Sequence, residues 1–321
     1  MKLQILVTQY LEGEEVIKPL LDSIAIQQSV DFSEIGVIIV NDGTDVLLSE
    51  DFLKGYPYLI EYHKIPHIGV SGARNACLDL AVADYVMFCD DDDMFVNNCG
   101  IYNIFLNIEA GFDSLNSTFI EEARNGDMPV YVTHDHDSTF IHGKVHRRQY
   151  LIDKCIRWNE DLIIHEDSFF NVLCQSLSDN VRYCEVPFYL WRWRAGSVCR
   201  NDRKFMLKTY DQLLDSNDAL IDEFIKRGIM DKAMYFFTYM VFETYYTLNK
   251  PNWTEEINEE HRTRTERRFK EYFEKHEDLW DAVPMWDKVK VSDQARAKVI
   301  KEGMILEATT IFKWLEHIKG E

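Results

Sequence analysis

Four consecutive carboxylates, Asp90-Asp91-Asp92-Asp93, close the apolar run Tyr85-Val86-Met87-Phe88-Cys89. That junction constrains the fold more tightly than any other stretch of the chain. The run is short, carries Tyr, Val and Phe, and reads as a buried strand. Four adjacent carboxylates at its end repel one another unless positive charge sits among them. In an open α/β sheet, ligands bind beyond the carboxyl ends of the strands. A divalent cation held by oxygen ligands is the natural occupant of such a place. The competing reading is a solvated acidic loop, which is what charge runs usually are. The apolar strand feeding the run weighs against it.

Further apolar runs precede this one. Leu3–Thr8 is a first strand, Ile35–Val40 a second, ended by the turn Asn41-Asp42-Gly43-Thr44, and Leu59–Lys64 a short third. Between the first two, Val16, Ile17, Leu20, Leu21, Ile24 and Ile26 recur at helical spacing. Val70–Ala83 reads as a helix with Ser71 as its cap and Ala73, Ala76, Cys77, Leu80 and Ala81 as a small apolar face. Strands and helices alternating over the first ninety residues imply right-handed βαβ units and a parallel sheet.

After Asn97 the pattern changes. Tyr102–Ala110 reads as a helix, and Val130–Thr133 and Ser138–Ile141 as strands around His134-Asp135-His136-Asp137. Val145–Lys154 reads as a short basic helix, Ser168–Ser178 as a helix, and Val181–Arg194 as a strand rich in Tyr and Trp. From about Asp202 onward the pattern is helical, interrupted by a loop at Asn249–Asn258 that contains Pro251. This divides the chain into an α/β region, 1–200, and an all-helical region, 201–321.

Composition bounds the function classes. With 46% hydrophobic residues the 321-residue chain has ample material for a core. A formal charge of −20 repels nucleic acid and anionic lipid on average, without excluding a local basic groove. The seven cysteines form no CxxC pair, and free thiols in a reducing compartment are expected. The apolar part of the N-terminus is too short for a signal peptide, and no stretch approaches the roughly 18 apolar residues of a membrane span. The expected location is the cytoplasm.

Several motifs now stand in order: Asn41-Asp42-Gly43-Thr44; Gly69-Val70-Ser71-Gly72-Ala73-Arg74-Asn75; Asp90–Asp93; Gly143-Lys144 with Arg147-Arg148; His165-Glu166-Asp167; and Tyr189–Ser197 with Arg192 and Arg194. Over roughly residues 1–200 this resembles a family 2 glycosyltransferase with the GT-A fold. The turn departs from the family's usual Asp-Asp-Gly-Ser by carrying Asn41. Gly69–Asn75 follows the family's G-V-S-x-A-R-N, Asp90–Asp93 its D-x-D-D, and Glu166-Asp167 its E-D. The resemblance implies a Rossmann-like, mostly parallel sheet flanked by helices. It also implies a nucleotide-sugar donor, most simply a UDP-sugar, and sugar transfer with inversion.

The resemblance assigns roles residue by residue. Asp42 would hold the base and Arg74 would reach the donor. Asp90 would serve the nucleotide, Asp92 and Asp93 would hold Mn²⁺ or Mg²⁺, and Arg192 and Arg194 would lie by the diphosphate. Asp167 would be the general base, with Glu166 beside it. The chemistry is coherent. A cation offsets the charge on the departing diphosphate, a carboxylate in reach of a hydroxyl can take its proton, and Arg suits bidentate phosphate contact. Plainer readings compete at each position: Asp42 capping its own turn, Glu166 and Asp167 stabilising a helix N-terminus, and Arg192 and Arg194 lying along an edge strand with Trp191 and Trp193 on the opposite face.

The acceptor could be a glycan, a cell-wall polymer, a protein or a modified DNA base. His261–Arg268 is a basic patch that either contacts an anionic acceptor or pairs with acidic turns of its own. The helical region either covers the acceptor side or makes a homo-oligomer contact. Two rivals remain. A nucleotidyltransferase would be expected to place a Gly-rich basic loop after the first strand, which Thr8–Gly13 lacks. A non-catalytic binding module would keep the donor site without turnover, and the retention of Asp92 and Asp167 together argues against it.

Overall fold

The apolar runs of the first ninety residues pair with one another in a parallel sheet. β1 (Leu3–Gln9), β2 (Ile35–Asp42), β3 (Leu59–Ile65) and β4 (Tyr85–Asp90) stand in the order β3-β2-β1-β4. The computed structural model describes residues 1–195, 197, 205–249, 259–299 and 310–320. The chain divides into two compact units, Met1–Ser197 and Val198–Glu321. In the first, register places Gln9 beside Asn41 and Thr8 beside Asp90. The C-terminal ends of β1, β2 and β4 therefore open at one edge of the sheet.

Helices cover this half on both faces because its strands are apolar on both. Leu3, Ile5, Val7, Val37, Ile39 and Met87 share one core with Ile17, Leu20, Leu21 and Ile24 of α1 (Glu14–Ala25). α3 (Gly69–Leu80) packs against β1 and β2, with Ala73 and Cys77 fully buried; a short α2 (Glu50–Lys54) lies between β2 and β3. The expected cap at Ser71 is not made. Helix α3 starts earlier, at Gly69, and the Ser71 hydroxyl donates to the Leu162 carbonyl instead.

The rest of the sheet is mixed. It comprises β5 (Met94–Phe95), β6 (Ser114–Asn125), β7 (Met128–His134), β8 (Lys144–Arg147) and β9 (Val181–Trp191). The nine-stranded order is β3-β2-β1-β4-β8-β6-β9-β5, with β7 on β6. Helices α4 (Gly100–Ala110), α5 (Arg148–Asp153) and α6 (Glu166–Leu177) complete this unit. Three sequence expectations change here. Lys144–Arg147 is a strand, antiparallel to both β4 and β6, and only Arg148–Asp153 is helical. Ser138–Ile141 is not a strand: the Asp137 carboxylate accepts from the amides of Thr139 and Phe140 and folds the segment into a turn. Finally, β9 stops at Trp191, so Arg192 and Arg194 do not alternate with tryptophans along a strand.

The second unit is helical where it is described: α7 (Phe205–Lys208), α8 (Tyr210–Lys226), α9 (Met230–Leu248), α10 (Glu259–Lys275), α11 (Glu277–Ala282), α12 (Met285–Val299) and α13 (Thr310–Lys319). Phe237, Phe242, Tyr245 and Tyr246 of α9 are buried core residues. The basic patch on α10 largely pairs internally, Arg264 with Asp211 at 2.6 Å and Arg268 with Asp215 and Asp218 at 2.5 and 2.6 Å. Residues 202–204 and 250–258, Gly196 and Cys199 lie outside the described residues. The six described cysteines are free thiols, Cys77, Cys89 and Cys174 of them buried. Among the described residues no helix is long and apolar enough to cross a membrane.

The strand-end edge rests on an aromatic cluster that the sequence did not announce. Trp158 stacks on Phe170 at 4.1 Å and meets Phe88 edge-on at 5.0 Å. It is 2% exposed and lies beneath the Arg74 guanidinium at 4.5 Å. Truncating a buried tryptophan typically costs about 3–5 kcal/mol. Trp158→Ala should lower the stability of the full chain by that order in urea denaturation; a loss below about 1 kcal/mol would show that the cluster does not support this edge.

Candidate active site

The turn after β2 is built around Asp42. Its Oδ1 accepts from the Ile68 amide at 2.7 Å, its Oδ2 accepts from the Gly69 amide at 3.0 Å, and His67 Nδ1 lies 2.8 Å from Oδ2. A side chain from the end of β2 thus satisfies amides at the start of α3, the task that Ser71 was expected to perform. Gly43 has φ +78°, and a Cβ there would lie 2.4 Å from the His67 nitrogen, so only glycine fits. Tyr10, exposed, stacks on His67 at 4.7 Å.

The Asn41 departure from the family pattern has a local cause. The fully buried Asn41 amide donates to Gln9 Oε1, the Val46 carbonyl and the Tyr62 hydroxyl, at 2.9 to 3.2 Å. Its own oxygen accepts from the Thr44 amide. An aspartate would turn a carboxylate oxygen towards the Gln9 and Val46 oxygens.

Because Asp42 fixes the entry to α3, Arg74 on its second turn has a defined aim. Arg74 is 5% exposed, donates from Nη2 to Asp90 at 3.0 Å and from Nη1 to Glu166 at 2.8 Å. Burial works against its charge, but Asp90, Glu166 and Asp167 outweigh that and raise its pKa. One guanidinium thereby joins the end of β4 to the start of α6. Asn75 braces the same region, its amide donating to the Trp158 carbonyl and to Glu160.

The acidic run is partly buried, not a solvated loop. Burial, then the neighbouring carboxylates, push Asp91 and Asp93 well above the ordinary carboxylate range and raise Asp92. Asp93 is fully buried. It accepts from the Tyr189 hydroxyl and from the Arg192 amide at 2.9 Å. His142 Nδ1 lies 3.7 Å from it, and Asp90, Asp93 and His142 bring ligand atoms within 4.8 Å of one another. Asp92 stands outside that trio. Arg194 Nε donates to its Oδ2 at 3.0 Å and Arg192 Nη1 to its carbonyl at 3.0 Å. All four expected carboxylate and arginine positions here, Asp92, Asp93, Arg192 and Arg194, lie in one cluster. Its oxygen-rich donor set, in which like charges raise one another's pKa, suits a hard divalent cation.

Sequence reasoning missed His142, Tyr189 and Glu12 as members of this cluster; Glu12, which follows β1, lies 2.7 Å from Arg194 Nη1. His142 had a signal, since it immediately precedes Gly143-Lys144; Glu12 had none. A second trio, Asp218, Asp222 and His276, belongs to the helical unit and is already matched by Arg268 and Lys275. His134 pairs with Glu121 at 2.8 Å and stacks on Phe119, so it does not gather a metal set with His136 among the described residues.

The helix carrying the E-D pair begins at a strained residue: His165 has φ +63° and is buried. Burial, then Glu166, raise the Asp167 carboxyl from 3.8 to about 7, with Arg74 pulling it back. Nearby Lys144 is pushed down to about 8 by burial. Such a carboxyl is poised to exchange a proton near neutrality.

Residues 4–150 match the family model described as Glycosyl transferase family 2. Over 72 residues the chain is 36% identical to the minor teichoic acid biosynthesis protein GgaB of Bacillus subtilis (strain 168), covering 22% of this chain and 8% of GgaB. Over 209 residues it is 24% identical to the uncharacterized glycosyltransferase EpsJ of the same organism, covering 58% of this chain and 59% of EpsJ. The matches therefore span less than two thirds of either relative. The fold matches residues 1–349 of S. aureus TarS with a TM-score of 0.65 at 15% identity, covering 96% of this chain and 95% of that one. The same fragment in complex with UDP-GlcNAc gives 0.65 at 14% identity.

The raised Asp167 carboxyl has a stability consequence. Below pH 3.8 both folded and unfolded chains hold the proton, and Asp167 costs nothing. As pH rises towards about 7 the unfolded chain releases it first, so folded stability is lost across that window. Asp167→Asn cannot ionise, so it should melt higher than the native chain at pH 8, with the difference vanishing near pH 4. An equal difference at both pH values would show that ionisation of Asp167 is not what the fold resists.

Proposed function

We propose, from the premise that this chain belongs to glycosyltransferase family 2, that it transfers a sugar from a nucleotide-sugar to an acceptor hydroxyl with inversion at the anomeric carbon. The observation that carries this reading is Arg74. Its two ion pairs, one to Asp90 and one to Glu166, 92 residues beyond Arg74, bring the acidic run and the Glu166-Asp167 pair into one site.

Asp92, with Asp93 and Asp90 beside it, would hold Mn²⁺ or Mg²⁺. When bound, that ion neutralises charge growing on the departing nucleoside diphosphate. Arg192 and Arg194 face the same phosphates, a role that suits their forked donors. Arg74, buried against Trp158, fixes Asp90 and Glu166 so that neither carboxylate drifts as charge moves. Asp42 serves the base end, through the turn it holds with His67. The donor is a UDP-sugar, in line with the UDP and UDP-GlcNAc named for the TarS complexes. The acceptor is a hydroxyl of a glycan or cell-wall polymer, in line with the name of GgaB, a minor teichoic acid biosynthesis protein.

Asp167 accepts the acceptor's proton as the hydroxyl attacks, and Glu166 orients it. Direct displacement needs no covalent enzyme intermediate. Only the ionised carboxylate can act as base, so turnover should rise with pH through about 7. UDP release from UDP-GlcNAc in Mn²⁺ tests the assignment. Asp167→Asn should lower turnover by about 10²-fold or more while UDP affinity changes little. Loss of UDP affinity together with turnover would make Asp167 structural instead. Binding of nucleotide-sugars with no turnover on any acceptor would identify a binding module.

A further inference from the structure

Arg194 joins the acidic run to the segment that follows β1. Its Nε donates to Asp92 Oδ2 at 3.0 Å, and its Nη1 lies 2.7 Å from Glu12 Oε1. Glu12 follows β1. It sits on a firm base: its carbonyl accepts from Gln9 Nε2, and Gln9 is fully buried and bonded to Asn41 and to the Tyr62 hydroxyl. Leu11, immediately before it, holds φ +62°, a conformation a leucine adopts only when its surroundings impose it. The three side chains Glu12, Asp92 and Arg194 are between a fifth and a third exposed. Their interaction is thus less screened than a surface pair, yet reachable by ions from solvent.

We propose that Arg194 is an exchangeable counter-cation of Asp92, kept over the acidic run by Glu12, so that divalent cation and donor diphosphate load as a coupled pair. The inference rests on the reading of Asp92 as a cation ligand. A carboxylate already matched by a guanidinium is a poor partner for a second cation, because the two cations repel. A diphosphate changes the balance by offering Arg194 a better, bidentate partner. Arg194 then leaves Asp92 to the incoming ion. Glu12 is a positioning residue in this exchange: it keeps the guanidinium at the rim of the site instead of letting it swing into solvent. Each ligand therefore removes the obstacle to the other, which is positive coupling in the thermodynamic sense.

Mn²⁺ binding, followed by the electron paramagnetic resonance of free Mn²⁺, tests this on the full chain without any turnover. In the native protein, saturating UDP should tighten Mn²⁺ binding by at least about fivefold. Arg194→Met keeps the bulk and removes the charge; it should bind Mn²⁺ alone about fivefold more tightly than the native chain and lose most of the UDP enhancement. Arg194→Lys keeps the charge and should bind Mn²⁺ alone as the native chain does, with a smaller UDP enhancement because an ammonium lacks the guanidinium fork. Glu12→Gln should weaken UDP in the presence of Mn²⁺ without tightening Mn²⁺ alone. Circular dichroism melts confirm that each variant is folded, and Arg194→Gln replaces the Met variant if that one is not. If the charge-removing variant binds Mn²⁺ no more tightly while UDP enhancement persists, the exchange is overturned and the cation reading stands. If Arg194→Lys tightens Mn²⁺ as much as Arg194→Met, charge is not the obstacle and the proposal fails. If the native chain binds no Mn²⁺ even with UDP, the cation reading falls and this inference with it.

Discussion

A single buried guanidinium ties this site together. Arg74 has given up nearly all its water, and its pair of carboxylates, the charge of Asp167 and the face of Trp158 compensate for it. Taking a charge out of water costs several kcal/mol per ion, and a buried pair repays that only with good geometry. Here the geometry is two-sided. Removing Arg74 would leave Asp90 and Glu166 as neighbouring, half-buried like charges, with Asp167 next to them. Phe88 of β4 packs edge-on against Phe170 of α6 at 5.6 Å, but the acidic ends of the two elements would repel each other without Arg74. The attraction that offsets their repulsion is also what makes them one site.

The aim of Arg74 depends in turn on a bond network formed further back. Asp42 ends β2 and binds the amides that open α3, so the angle at which α3 leaves the sheet is set from β2. Gly43 permits the close approach of residue 67, and Asn41 locks the same turn to β1 through Gln9 and to β3 through Tyr62. The N-D-G-T and G-V-S-G-A-R-N segments are thus one mechanical unit. This also explains why asparagine is tolerated where the family pattern carries aspartate: the position is occupied by buried oxygens that need an N–H donor, not a second charge.

What could be read without coordinates follows the same physics. The parallel half of the sheet was legible because β1, β2 and β4 are buried on both faces and read as continuous apolar runs. The long strand β6 was not. Its first residues include Ser114, Asn116, Ser117 and Thr118, all buried, yet polar. A strand between β8 and β9 has its backbone satisfied on both edges, and small polar side chains can be buried there without leaving a hydrophobic period. Lys144–Arg147 misled for a related reason: Lys144 and His146 are buried, and a basic tetrapeptide does not advertise burial. At the site, the residues with motif spacing were found in sequence and do converge. Those that meet them only through folding, such as His142, Glu12 and Trp158, were not, because nothing in the local sequence marks which loop will return to the strand ends. The proposed cap at Ser71 failed because a stronger acceptor, a carboxylate, reached the same amides from another strand.

The electrostatics of the site give the chain's acidity a local meaning. A formal charge of −20 spread over the surface would repel a diphosphate. Around the strand ends, however, Arg74, Arg192, Arg194 and Lys144 are interleaved with Glu12, the acidic run and the Glu166-Asp167 pair. Carboxyl groups outnumber the basic groups, and Asp91, Asp92, Asp93 and Asp167 already resist ionising, so a diphosphate arriving alone adds negative charge where the site least accepts it. A divalent cation arriving alone meets carboxylates that already have partners. In the proposed reaction the two species together bring charge that each part of the cluster can answer, phosphate oxygens to the arginines and the ion to the aspartates. In the proposed reaction such a site would discriminate by charge pairing before any contact with sugar or base is made.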